Sequence, residues 1–115
     1  PFSQAAQAGD FLFMSGQGPF NPDTGDFERG GIGRQTELTL QCIDRILGEA
    51  GLDRSQIVQC RVYLQPLSVD TYREMNAAYS DFFGDNKPAR VAVGTTLLNI
   101  DVEIECIAYC PSANP

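Results

Sequence analysis

The 115-residue sequence predicts an α+β fold in the order β-β-α-β-α-β-β, with two helices covering one face of a mixed sheet. Three observations carry that prediction. Some segments alternate apolar and polar residues with the period of a strand. Two others repeat apolar residues at three- and four-residue steps, and Gly-, Pro-, Asn- and Asp-rich turns separate them.

The elements follow in order. Phe11-Leu12-Phe13-Met14-Ser15 is a short apolar run bounded by turns at Gly9-Asp10 and Asn21-Pro22-Asp23-Thr24-Gly25. It reads as a strand, with Phe2 to Ala8 pairing to it as a hairpin. From Ile32 to Ala50, the residues Leu38, Cys42, Ile43, Ile46, Leu47 and Ala50 mark one helix face, and Gly51 supplies the stop. Ile57 to Leu64 places Val58, Cys60, Val62 and Leu64 on one side and Gln59, Arg61 and Tyr63 on the other. Ser68 caps a second helix whose inward residues are Tyr72, Met75, Tyr79, Phe82 and Phe83, closed by Gly84. The Val- and Thr-rich run Arg90 to Leu98 and the alternating run Asp101 to Tyr109 complete the sheet. Its second face carries too many Val, Tyr and aliphatic neighbours to be simply solvated, so association of copies across it is expected.

Composition narrows the chemistry. The chain suits one domain over residues 1–115, with 43% hydrophobic and 20% charged residues. Acids outnumber bases 15 to 8 for a net charge of −7, and Lys87 is the single lysine. Nucleic acid and anionic membrane are therefore not expected partners. A small carboxylate remains possible, because one well-placed guanidinium grips one carboxylate. The chain has no histidine, which excludes Ser-His-Asp and Cys-His pairs and HExxH zinc sites. Cys42, Cys60, Cys106 and Cys110 form no CxxC pair and are expected to be reduced, which fits a cytoplasmic location. No signal peptide or run long enough to span a bilayer is read, and the start at Pro1 suggests a trimmed or processed chain.

Several residues carry a functional reading beside a bland one. Arg90, directly after Lys87-Pro88-Ala89, is either a carboxylate anchor or the partner of a local acid such as Asp81 or Asp85. Asp101, Glu103 and Glu105 share one strand face. They mark a solvated surface, unless one of them lines a pocket where burial raises its pKa; spacing does not choose between Glu103 and Glu105. Ser15-Gly16-Gln17-Gly18-Pro19 is an ordinary turn or a place of close backbone approach to a ligand. Asn76 lies beside the apolar stripe of the second helix, as a surface amide or a pocket group.

Seven stretches in order resemble the RidA (YjgF) family of reactive-intermediate imine deaminases. They are Pro1-Phe2-Ser3-Gln4-Ala5, Phe13-Met14-Ser15-Gly16-Gln17, Asn21-Pro22-Asp23-Thr24-Gly25, Gln35-Thr36, the run from Asn76 to Phe83, Pro88-Ala89-Arg90, and the run from Val102 to Ala108. Together they span almost the whole chain. The resemblance implies a chorismate-mutase-like fold (bacillus type) assembled as a homotrimer with pockets between subunits. It implies hydrolysis of 2-imino acids or their enamine tautomers, such as 2-iminobutanoate and 2-iminopropanoate, to 2-keto acids and ammonia, with neither metal nor cofactor.

By the same resemblance, Arg90 grips the substrate carboxylate and the backbone of Ala92 makes a second contact to it. Glu103 is the acid near the imine and its water. Ser15 and Gly16 line the pocket, Asn76 lies at its side, and Phe2 falls where an aromatic, usually tyrosine, closes it. Three departures stand out: Phe2 lacks that hydroxyl, Ala92 replaces a frequent cysteine, and Gly94 to Asp101 is about two residues shorter than the common pattern. A specialised aminomuconate-type deaminase and a non-catalytic trimer that binds small carboxylates are the alternative readings.

Overall fold

A computed structural model describes residues 1–111. Its elements are β1 (Ala5–Ala8), β2 (Phe11–Met14), α1 (Ile32–Glu49), β3 (Ile57–Leu64), α2 (Val69–Phe83), β4 (Ala89–Gly94) and β5 (Val102–Tyr109), with a 3-10 turn at Arg54–Gln56. The five strands form one mixed sheet in the order β1-β2-β5-β3-β4. Only β3 and β4 run parallel, and α2 makes the crossover that a parallel pair requires. No helix among the described residues is long and apolar enough to cross a membrane.

Both helices lie on one sheet face. Ile43 and Leu47 of α1 and Met75, Tyr79 and Phe83 of α2 close over Cys60, Val62 and Leu64 of β3 and Val102, Ile104, Cys106 and Ala108 of β5. The strand alternation sets this arrangement, since Val102, Ile104, Cys106 and Ala108 of β5 are buried and each intervening residue is less so. Ser68 accepts the Thr71 N–H at 3.1 Å and fixes where α2 begins. Gly51, at φ 75°, ends α1 by letting the Leu52 N–H turn back to the Leu47 carbonyl at 2.8 Å.

Four expectations change. Val58, read on the same side of β3 as Cys60, is exposed while Ile57 is buried, because a register shift between Ile57 and Gln59 turns it outward. The first strand narrows from Phe2–Ala8 to Ala5–Ala8, because β2 offers partners only to those four residues. β4 stops at Gly94 rather than Leu98, because β3 ends at Leu64, opposite Gly94, and leaves no ladder to extend. Thr95 and Leu97 instead bond back to the Leu64 carbonyl and the Gln65 side chain. Tyr72, read as an inward residue of α2, is exposed, and its hydroxyl is turned to Arg90. The four cysteines are free thiols; Cys60 and Cys106 are buried with their sulfurs 3.1 Å apart, whereas Cys42 and Cys110 are only partly covered.

Candidate functional site

The first cluster lies at the sheet edge, on the helix face. Arg90 pairs in register with Cys60 and therefore points toward α2, as does Ala92 two residues on. Asn76 accepts a hydrogen bond from Arg90 Nη1 at 2.7 Å, and the Tyr72 hydroxyl accepts one from Nη2 at 3.0 Å. The guanidinium carbon also stands 4.7 Å from the centre of the Tyr79 ring and 5.5 Å from that of Tyr72. Tyr72, Asn76 and Tyr79 follow each other at helical steps, so one face of α2 supplies the whole cradle. No carboxylate among the described residues lies within 4.0 Å of Arg90, so neither Asp81 nor Asp85 neutralises it.

A guanidinium has five N–H donors. Neutral neighbours hold this one in place without cancelling its charge, and it keeps donors free for an anion. Beside it, Leu67, Ser68, Val69, Tyr72, Arg73 and Ala92 line an open cleft of roughly 430 Å³.

The second cluster lies on the opposite sheet face. Between Phe13↔Ile107 and Gln17↔Ile104 the β2 side advances four residues while β5 advances three, which is a one-residue bulge at Ser15-Gly16. The Gln17 N–H and Ile104 carbonyl restore the ladder at 2.8 Å. The bulge arches over Glu103, and a Cβ at Gly16 would sit 2.7 Å from its carboxylate oxygen. Only glycine allows that approach without moving the acid. The Ser15 hydroxyl donates to the Ser3 carbonyl at 2.6 Å and ties the N-terminal segment to the bulge.

The two glutamates of β5 separate here. Glu105 accepts the Tyr63 hydroxyl and lies 3.8 Å from Arg61, so it is engaged. Glu103 has no hydrogen-bond or ion-pair partner among the described residues. Burial, reinforced by the charge of Glu105, pushes its carboxyl above the ordinary glutamate value.

The structure thus brings Arg90, Asn76 and Ala92 together, and separately Ser15, Gly16 and Glu103. It does not bring the two groups together: β3 stands between β4 and β5, and the clusters face opposite sides of the sheet. Phe2 is 71% exposed and joins neither cluster. Sequence reasoning passed over Tyr72 and Tyr79 as partners of Arg90, although their spacing from Asn76 was the available signal. Among the described residues, no group of three or more His, Cys, Asp or Glu residues could hold a metal ion.

The fold and these clusters define a class: a small helix-covered mixed-sheet protein with an uncompensated arginine cradle at its edge. The chain belongs to the family described as endoribonuclease L-PSP (YjgF/RidA), whose model matches residues 1–110. It is 44% identical over 111 residues to a RutC family protein of Pyrococcus abyssi, covering 95% of this chain and 86% of that one. Among solved structures, a protein of the conserved Rid family, YyfA from Yersinia pestis, is 37% identical with a TM-score of 0.87, covering 95% of this chain and 87% of that one. Escherichia coli TdcF, solved with bound serine, is 29% identical with a TM-score of 0.84, over 95% and 87% of the two chains.

Proposed function

We propose that the protein hydrolyses 2-imino acids, such as 2-iminopropanoate and 2-iminobutanoate, to 2-keto acids and ammonia without metal or cofactor. The uncharged cradle of Arg90 carries this reading. It presents a rigid cation, with free donors, to an organic carboxylate. That the related TdcF was solved with serine bound supports a small amino- or imino-acid ligand. The family's description as an endoribonuclease finds little support in this chain's own charge, because 15 acids against 8 bases repel a polyanion.

The reaction needs few groups. Arg90 holds the carboxylate and fixes C2 of the protonated imine, while the Ala92 backbone makes the second contact. Glu103 takes a proton from water as its oxygen adds to C2, giving the carbinolamine. Glu103 gives that proton to nitrogen, then takes the carbinolamine's hydroxyl proton as the C=O forms and the C–N bond breaks; that proton goes on to the departing ammonia, leaving the keto acid and ammonium. Asn76 steadies the guanidinium, and Ser15 and Gly16 hold the wall behind Glu103; Phe2, exposed in a single copy, closes the pocket only where a second copy completes it.

Because Arg90 and Glu103 occupy opposite faces, one substrate meets both only when a second copy supplies Glu103. Phe13 and Val91, each 45% exposed, and Val93 give the open face an apolar surface suited to such contacts in a homotrimer.

The test is keto-acid formation from enzymatically generated 2-iminobutanoate. Arg90→Ala is expected to lower kcat/KM by about thirtyfold or more, since a hydrogen-bonded charge contributes about 2 kcal/mol or more. Glu103→Gln is expected to lose roughly 10²-fold or more in kcat while still binding the keto acid. Undiminished turnover by Arg90→Ala would remove the anchor. Keto-acid binding without turnover in the unmodified protein would leave a carboxylate-binding trimer instead.

A further inference from the structure

We propose that Cys60 and Cys106 form an oxidative modification site, at which hydrogen peroxide joins them in a disulfide that ties β3 to β5 inside the folded chain. The two residues are direct partners in the antiparallel β3–β5 ladder. One step beyond the end of that ladder, the Gln65 N–H bonds the Asp101 carbonyl at 2.9 Å, which marks a hydrogen-bonded pair. Such pairs alternate with non-hydrogen-bonded ones, and counting back from Gln65 puts Cys60 and Cys106 at a non-hydrogen-bonded position. Cα atoms there stand about 4.5 Å apart, within the span that a disulfide bridges. Both side chains turn to the helix face, and their sulfurs are already 3.1 Å apart.

The surroundings make the pair unequal. Contact with the Cys106 thiol holds the Cys60 thiol below its ordinary value, against the opposing effect of burial, and the same contact raises Cys106. The Tyr79 hydroxyl stands beside Cys60, buried and without a hydrogen-bond partner, so it has a proton to offer a sulfur anion. Arg90 pairs in register with Cys60 from β4 and adds a positive charge nearby. Cys60 is thus the attacking sulfur and Cys106 the resolving one.

The Cys60 thiolate attacks one peroxide oxygen, the O–O bond breaks, and hydroxide leaves with the proton lost from Cys60 as water. Cys106 then attacks the sulfenic sulfur. The S–S bond forms, the S–O bond breaks, and a second water carries away the Cys106 proton. The thiols lose two electrons and the peroxide is reduced to water. Both sulfurs are buried, so this oxidant, close to water in size, reaches them through local opening. The bridge closes the segment that holds α2 and β4, and with it Tyr72, Asn76, Tyr79 and Arg90.

The experiment treats the reduced full chain with hydrogen peroxide in native buffer, then denatures it with an alkylating agent and maps it by mass spectrometry without reduction. Expected is a loss of about 2 Da per chain, with Cys60 joined to Cys106. The oxidised chain should unfold at a higher urea concentration than the reduced one, and dithiothreitol should reverse both changes. Cys106→Ala should abolish the bridge and leave an oxygen adduct on Cys60.

Cys60 and Cys106 that stay unjoined until urea unfolds the chain overturn the proposal. So does a bridge from either of them to Cys42 or Cys110, or an oxidised chain that unfolds at lower urea. A loss of about 2 Da that persists in Cys106→Ala has the same consequence. Should that variant fail to fold, the map of the unmodified protein decides alone.

Discussion

Glu103 and Glu105 are identical in type and two residues apart, and they differ only in what their neighbours do to them. Tyr63 and Arg61 occupy Glu105, whereas Glu103 lies half-covered and unpartnered beneath the Gly16 arch. A carboxyl raised above the ordinary 4.5 stays protonated to higher pH, and it acts as a base only once ionised. The acid limb of kcat/KM is therefore expected above 4.5. Glu105→Gln removes the neighbouring charge and should move the limb to lower pH, measured on one imine at fixed salt; an unmoved limb would show that another group titrates there. The raised value also costs folded-state stability as pH climbs through it, so Glu103→Gln should melt no lower than the parent protein near neutrality. Gly16→Ala probes the same acid from the other side. The new methyl would meet the end of a side chain that can swing away, so the fold should persist while turnover falls about tenfold or more. A variant with unchanged kcat would show that the position of Glu103 is immaterial.

At the scale of elements, both helices, β5 and β3 beyond Val58 were legible, because burial on one side imposes a period the sequence must keep, whereas the register shift between Ile57 and Gln59 breaks that period at Val58. Polar residues inside α1 were not. Thr36 and Thr39 are buried, yet each hydroxyl donates to the carbonyl four residues earlier, at 2.7 Å, so the burial leaves no trace in apolar spacing. Gln35 is buried too. Its amide donates to the Gly30 carbonyl and the Asp101 carboxylate, and its carbonyl accepts the Asp101 N–H at 2.9 Å. This side chain fastens the start of α1 to the start of β5, a link between residues 66 positions apart that no local pattern announces. Gln35→Ala would leave those half-buried groups unpaired, and a loss of about 2 kcal/mol is expected. Urea denaturation at fixed protein concentration measures it; a change below about 0.5 kcal/mol would show that water replaces the amide. The end of β4 was hidden for a related reason, since it is set by where β3 stops and not by any residue of its own.

For the whole molecule, the sheet decides whether one copy could supply a pocket that uses both Arg90 and Glu103. Arg90 hangs from the edge strand on the helix face, and Glu103 rises from the central strand on the other, so no movement of side chains alone joins them. The resemblance implied pockets between subunits, but that Arg90 and Glu103 face opposite sides of the sheet follows only from strand order and facing together. It leads to a complementation experiment. On the proposed reading, a closed ring would give each pocket Arg90 from one copy and Glu103 from the next. Arg90→Ala and Glu103→Gln are each expected to keep only about 3% of the parent activity or less when alone. When equal amounts are unfolded and reassembled together, a pocket is intact if its arginine comes from the Glu103→Gln chain and its glutamate from the Arg90→Ala chain. Random assortment makes that about one pocket in four. Turnover near a quarter of that of the parent protein, treated in the same way, is the expected result. Mixing the folded variants without exchange should give no more than that residual, which separates shared pockets from residual activity. If co-assembled oligomers stay inactive while the parent protein recovers, Arg90 and Glu103 do not serve one pocket across a subunit boundary.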